Sequence, residues 1–353
     1  MSDNPIIQIE QSGVLEKYKT AGKVVSKVLN KILEQLEPGQ LLVDICALGD
    51  KLIIEELNKY YKKITDKGIS FPTCVSKNNI AGYFIPTEKN KNIKIDEGDL
   101  IKIELGAHIE GFPSCIGWST IVHSDVKSLS KDDKRIKVMN ALSEAHSEIP
   151  KMFKEGQSNK TVINKLERIA EKNGCNLLVT STEFERIPGV YSFQVSKGII
   201  DGNNDDGDEE VHKMVISRLS KSQDFDIRET EFEDGEIYAM DIAFSSGTGK
   251  IVESDYPCTV YRRNRNEFYS LKIKSSKETL KMIDQNTYPF PLSIKSNMGP
   301  RTQFGIKNLL SHDLIYPYPV MCEKENEFIS RCKFTVLTKP KKAIIIANKK
   351  LIN

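Results

Sequence analysis

The sequence predicts an α+β fold, and three observations carry that prediction. Two amphipathic helices open the chain. A strand, a tight glycine-containing bend and a return strand follow at Asp99–Val122, DLIKIELGAHIEGFPSCIGWSTIV. The opening of that phrase then returns: Asp96-Glu97-Gly98-Asp99-Leu100-Ile101-Lys102-Ile103-Glu104 matches Glu233-Asp234-Gly235-Glu236-Ile237-Tyr238-Ala239-Met240-Asp241. Each copy has an acidic–Gly–acidic turn, an apolar strand and a terminal carboxylate. The match is too short for a repeat array. It suggests two related half-domains, each sending one carboxylate, Glu104 or Asp241, to a shared centre suited to a metal or an acid/base pair. The same residues also fit two unrelated strands with solvent-facing acids.

In chain order, residues 14–36 place Val14, Tyr18, Ala21, Val25, Val28, Leu29, Ile32 and Leu36 on one helical face, and Pro38-Gly39 stops the helix. A second helix spans about Asp44 to Ile64 and ends at Asp66-Lys67-Gly68. Both stripes are expected to pack on a sheet. Asn78-Asn79 reads as a turn between two short strands, the second being Ile80–Pro86. Residues 87–98 are a Lys-rich surface loop. In the hairpin, Ile101, Ile103 and Leu105 alternate with Lys102 and Glu104, the period of a half-buried strand. Residues 131–155 and 158–173 read as helices, Ser158 capping the second. Residues 176–201 are strand-like with a break at Pro188-Gly189. Residues 202–230 begin acidic and polar and read as an exposed insertion without the spacing of a calcium loop. Strands follow at 232–244 and 256–264, a basic helix or helix plus strand at 266–285, and an alternating strand at 328–338 with Lys333 inside its pattern. Residues 340–353 read as a basic, partly apolar C-terminal tail. No clean linker interrupts the chain, so one domain is expected over 1–353.

A chain of 353 residues supports a sizeable core, and 39% hydrophobic with 28% charged residues is a soluble globular balance. No apolar run approaches a membrane span, and the N-terminus lacks a basic-then-apolar signal pattern. A net charge of +2 gives no bulk argument for nucleic acid, so any such argument rests on local distribution. Seven scattered cysteines without CxxC favour reduced thiols in a cytosolic or nuclear protein. No HExxH is present, which removes the zincin class.

The order of GISFPTCVSKNN, EGDLIKIELGAHIEGF, IDGN, EIYAMDIAFSSGTGK, TVYRRN, YSLKIKSS and CKFTVLTKP, from about Val14 to Pro340, resembles the methionine-aminopeptidase, or pita-bread, superfamily. Within it the chain looks most like the proliferation-associated, ErbB-receptor-binding branch, with that branch's lysine-rich C-terminal extension curtailed. The resemblance implies the creatinase/aminopeptidase fold: pseudo-twofold antiparallel sheets covered by helices. Active members hold two divalent metals with two Asp, one His and two Glu. By position the resemblance carries these onto Glu104, Cys115, Phe193, Asp241 and Lys333, and a further catalytic His onto Tyr83. Phe193 has no donor atom, Lys333 puts an ammonium where a bridging carboxylate belongs, and Cys115 suits only a soft metal. Only Glu104 and Asp241 keep the right chemistry. The expectation is a degenerate metal site with no cofactor, and Lys333 as an internal counterion for Glu104 or Asp241.

Two basic stretches suggest what such a protein binds. Residues 260–281 carry Arg262, Arg263, Arg265, Lys272, Lys274, Lys277 and Lys281 against Glu267 and Glu278, interleaved with Tyr261, Phe268 and Tyr269; residues 333–353 carry six lysines and no acid. Such patches attract phosphate backbones without sequence specificity, and they also describe an ordinary solvated face. The resemblance favours the first reading, because the branch includes factors of the large ribosomal subunit. The expectation is therefore a non-catalytic protein of large-subunit biogenesis or translation regulation. It would contact ribosomes or structured RNA through Arg262, Arg263, Arg265, Lys272, Lys274 and Lys277, without membrane insertion, in the cytoplasm and also the nucleus or nucleolus. The competing expectations are a divergent metalloaminopeptidase and a peptide-binding scaffold in signalling.

Overall fold

A computed structural model describes residues 13–180, 191–200, 213–216, 229–294 and 300–349. Helix α1 (Val14–Leu33) buries Val14, Tyr18, Ala21, Val25, Val28, Leu29 and Ile32 at three- and four-residue spacing. Helix α2 (Leu42–Leu57) stops short of Ile64, and Tyr61 just beyond takes a left-handed φ of 45° that no α-helix continues through. Strands β1 (Lys67–Lys77), β2 (Leu100–Ile109) and β3 (Phe112–Ile121) come next. Helices α3 (Lys134–Glu148) and α4 (Asn159–Lys172) follow, and Ser158 caps α4 by accepting from the Thr161 N–H. Short strands β4 (Asn176–Leu177), β5 (Val179–Thr180), β6 (Tyr191–Gln194) and β7 (Met214–Ile216) lead to β8 (Ile237–Ser245) and β9 (Lys250–Glu253).

A smaller unit comprises β10 (Val260–Arg263), α5 (Lys274–Ile283), β11 (Leu292–Ser293), α6 (Pro300–Leu310) and β12 (Ile315–Tyr318). It has its own apolar centre at Tyr261, Leu271, Ile283, Leu309 and Ile315. The chain closes with β13 (Met321–Cys322), β14 (Ile329–Leu337) and β15 (Ile344–Ala347).

Among the described residues the main sheet runs β1-β2-β3-β14-β8-β6-β7, with β15 on β14 and β4 on β8. Its pairings are antiparallel, and β14 brings the two acidic strands β2 and β8 to opposite sides of one centre. Helices α1 to α4 cover one face, packing on Ile101, Ile103 and Leu105 of β2, Met240 and Ile242 of β8, and Phe334 and Val336 of β14. This is the helix-covered antiparallel architecture expected of the pita-bread fold.

Several local expectations change. Strand β2 is buried throughout rather than half-buried, because Lys102 and Glu104 face a second interior. Residues Ile80–Pro86 form no strand: Ile80 makes one bridge to Cys322, and Tyr83 has a φ of 63°. Most of 202–230 lies outside the described residues, as does Pro188-Gly189. Within that span Met214–Ile216 is a strand paired with β6, with Val215 buried, and so is not exposed insertion. Likewise the described part of the tail is not a free basic arm, because β15 pairs with β14 and buries Ile346 and Ala347.

Candidate functional site

Strand alternation sets the site. With the odd-numbered apolar residues of β2 and the even-numbered ones of β8 and β14 turned to the helices, Glu104, Asp241, Arg331 and Lys333 point to the opposite face. Register then aligns them. Glu104 lies opposite Gly117, Gly117 opposite Lys333, and Lys333 opposite Asp241, one row across four strands. Gly117 has no side chain, so Lys333 and Glu104 meet over it.

Lys333 Nζ lies 2.6 Å from Glu104 Oε2 and 3.3 Å from Asp241 Oδ2. Two positions along β14, Arg331 donates from Nε to Asp241 Oδ1 at 2.7 Å and from NH2 to Asp241 Oδ2 at 2.5 Å. Its NH1 sits 3.7 Å from Glu104 Oε2 and donates to the Ala81 carbonyl at 3.1 Å. The expected counterion role of Lys333 is thus present toward both carboxylates, and Arg331 is a second cation that the sequence reading missed. A signal existed: Arg331 and Lys333 are two cations at i and i+2 of one strand, so they share a face.

Tyr83 closes the site. Its backbone N–H donates to Glu104 Oε1 at 2.6 Å and its hydroxyl accepts from Arg331 NH2 at 2.8 Å. The left-handed backbone at Tyr83 is uncommon for a bulky residue and is held by these bonds. Preceding Gly82 is required by close approach, since a Cβ there would occupy the place of the Arg331 guanidinium. Phe71, Tyr83 and Tyr318 form a ring cluster with centroids 5.3 to 5.9 Å apart. Lys333 Nζ lies 4.6 Å from the Phe71 centroid and the Arg331 guanidinium 4.5 Å from that of Tyr83.

Burial would push the Glu104 carboxyl up, but Arg331 and Lys333, with the Tyr83 N–H, hold it below the usual carboxylate range. Burial likewise opposes the Lys333 ammonium, yet Asp241 and Glu104 push its pKa above the ordinary lysine value. The Glu104 carboxylate and the Lys333 ammonium therefore both sit charged in a buried site.

The other predicted positions divide. Cys115 lies on β3 opposite Gly106, tied through its backbone to Thr335 Oγ1, and burial pushes its thiol up to about 11. Among the described residues it makes no ion pair, but it lies near enough to the cluster to feel Lys333, Glu104 and Asp241. Phe193 lies on β6 opposite Ala239, one strand beyond Asp241, and brings no donor atom. Its neighbour Ser192 braces the Asp241 backbone, accepting from its N–H at 2.9 Å. Among the described residues no group of three or more His, Cys, Asp or Glu could hold a metal. Nor does the donor set fit the dinuclear centre implied by the resemblance. A divalent ion between Glu104 and Asp241 would have to displace an ammonium and a guanidinium already hydrogen-bonded there.

The predicted basic face contracts. Arg262 and Arg263 are only 2% and 8% exposed. Arg262 lies over the Tyr316 ring at 4.8 Å, and Arg263 pairs with Asp284 at 3.1 Å and donates to the Leu314 carbonyl at 2.9 Å. Strand β10 alternates between two covered faces, so both arginines hold the small unit together and neither reaches a phosphate. Arg265, Lys272, Lys274 and Lys277 are exposed, beside a Phe268 that is 85% exposed. Tyr269 stacks on His312 at 3.6 Å.

Residues 16–205 match metallopeptidase family M24. The chain is 32% identical to ERBB-3 binding protein 1 of Arabidopsis thaliana, over 96% of this chain and 81% of that one. It is also 32% identical to a Schizosaccharomyces pombe protein named curved DNA-binding protein, over 95% of this chain and 83% of the relative. In structure it is similar to a thermophilic Arx1, with a TM-score of 0.80 at 24% identity over 97% of this chain and 93% of the other. Among the described residues no helix is long and apolar enough to cross a membrane.

Proposed function

This chain belongs to metallopeptidase family M24, and from that premise we propose that it is a non-catalytic member that binds the large ribosomal subunit through structured RNA, in subunit biogenesis or translation regulation. One observation carries the non-catalytic part: Lys333 and Arg331 neutralise Glu104 and Asp241 where a peptidase of this family needs two metals. Without a bridged water of lowered pKa, no nucleophile is generated there. The divergent-peptidase reading requires the protein to expel both cations. Hydrolysis of a methionyl peptide on addition of manganese or cobalt, abolished by Asp241→Asn, would establish that reading instead.

The RNA part is supported by the small unit around α5. Arg265, Lys272, Lys274 and Lys277 remain exposed there, with Phe268 free to stack on a base. A cytoplasmic and nucleolar distribution goes with this role. The test is co-sedimentation with large subunits across a salt series, using a variant with Arg265, Lys272, Lys274 and Lys277 all changed to Glu. The parent should co-sediment with a steep salt dependence, and the variant should lose most of the binding with its melting temperature unchanged, since exposed charges contribute little to stability. Equal binding and an equal salt slope would remove this face from the reading.

A further inference from the structure

A cavity of about 590 Å³ lies away from the ion cluster, between the Lys67–Ile69 end of β1, an edge strand among the described residues, and the segment that carries Tyr288 and Phe290. Its volume falls within the range of ordinary ligand sites. Three observations say what it would take. The first concerns backbone. Glu110 N–H donates to the Asp66 carbonyl, and Gly68 faces His108 in register. Antiparallel pairing alternates, so Gly68 turns its polar groups toward β2, while the N–H and C=O of Ile69 turn outward, at the edge that lines the cavity.

The second observation is a buried donor. His108 is 8% exposed and lines the cavity. The Gly111 N–H donates to its Nδ1 at 3.3 Å, so the ring proton of the neutral imidazole sits on Nε2. A Cβ on Gly68 would lie 3.3 Å from that Nε2, so the glycine keeps the approach to it open. Tyr288 and Phe290 pack on the ring at centroid distances of 5.5 and 4.9 Å and fix its aim.

The third observation is charge. Asp50 and Asp66 line the cavity, and Tyr288 donates to Asp66 Oδ2 at 2.7 Å, which orients that carboxylate. Among the described residues Lys67 is the one cation in the lining, and its ammonium is turned to the carbonyls of Tyr60 and Tyr61 at 2.7 and 3.3 Å. A negative site with an open strand edge and an inward-aimed N–H donor calls for an occupant that is extended, peptidic and cationic.

We propose that this cavity captures a short extended peptide segment carrying a lysine or arginine, which adds as a strand to the Ile69 edge of β1, takes a hydrogen bond from His108 Nε2 and sets its cationic side chain against Asp66. Main-chain pairing supplies the binding and the carboxylate supplies the selectivity. The proposal stands apart from ribosome binding: among the described residues the cavity adjoins the proposed RNA face only at Arg265, whose guanidinium donates to the Asn286 and Thr287 carbonyls, and the peptide is read without RNA.

The test is an amide-resolved NMR titration with a blocked pentapeptide holding a central lysine, its norleucine counterpart, a lysine version N-methylated at alternate amides, and butylamine. The lysine peptide should shift the Gly68 and Ile69 amides, with the norleucine peptide about tenfold weaker. Asp66→Asn should erase that preference. Ile69→Pro, which removes an outward N–H at an edge where proline is tolerated, should abolish binding. If Ile69→Pro does not fold, the N-methylated peptide asks the same question of the intact protein and should not bind. The proposal is overturned if the lysine peptide leaves both amides unmoved at millimolar concentration. It is equally overturned if the preference survives in Asp66→Asn, if the N-methylated peptide binds as well as its parent, or if butylamine alone matches the peptide.

Discussion

Lys333 sits between two carboxylates that would otherwise repel each other in a buried site, at 2.6 and 3.3 Å. Removing one partner of such a group leaves an uncompensated charge, the costly outcome, whereas replacing the whole group by apolar residues can be neutral. Lys333→Met should therefore lower unfolding stability by about 3–5 kcal/mol in denaturant titration. Adding Glu104→Gln to Lys333→Met should recover part of that loss, a coupling that a double-mutant cycle measures. His108 gives a pH prediction of definite sign. Burial depresses its pKa from 6.5 to about 4, so between those values the unfolded chain binds the proton and the native state does not. Stability from this group is fully present above the ordinary histidine value and is lost as pH falls toward the folded value, by about 3 kcal/mol in all. His108→Phe keeps a ring between Tyr288 and Phe290 and should flatten that part of the stability–pH curve; an unchanged slope would mean that His108 is not the titrating group.

At the scale of elements, periodicity placed α1 and α4 closely, because each has one buried and one wet face. Alternation also placed β14, although both of its faces are covered, and the paired acidic–Gly–acidic turns located β2 and β8. Periodicity failed on shorter strands with both faces covered or a basic surround. On β10, Arg262 and Arg263 looked like a basic face because sequence does not reveal that a polar strand is enclosed by Tyr316 on one side and Asp284 on the other. It failed again at β15, where a tail that reads as basic and partly apolar gives no strand signal, yet Ile344–Ala347 pairs with β14. Arg331 is not at one of the family's ligand positions, so the resemblance gives it no role. The β15 finding is checkable. Ile346→Ala should cost about 2–5 kcal/mol of stability as a buried large-to-small change. Changing exposed Lys341 and Lys342 to Ala should move stability by no more than about 0.5 kcal/mol. If the lysine pair proved the more damaging change, the tail would matter through its charge and not through its strand.

Across the whole molecule, the two acidic halves meet at a seam where β14 lies beside β3. Among the described residues one backbone bridge joins these two strands, Lys333 to Gly117, flanked by side-chain bonds from Ser119 to the Arg331 backbone and from Thr335 to the Cys115 backbone, while β14 pairs with β8 along its full length. The ion cluster lies on that seam: Glu104 comes from the first half, Asp241 from the second, and both cations from β14 between them. In the metal-dependent relatives that the resemblance implies, divalent ions would join those carboxylates; here the chain joins them with its own side chains. This sets a prediction for the intact protein. Dialysed protein should hold no stoichiometric manganese, cobalt, iron or zinc, and excess chelator should leave its melting temperature unchanged. Raising the salt concentration should have little effect on stability, because buried pairs are screened far less than exposed ones, whereas it should strongly weaken RNA binding at the surface lysines. The two responses are separable in one preparation, by calorimetry and by co-sedimentation over the same salt series. One metal per chain surviving dialysis, with a melting temperature that falls on chelation and a Glu104→Gln variant that loses the metal, would show that the cations yield to a metal and that the seam is held by it.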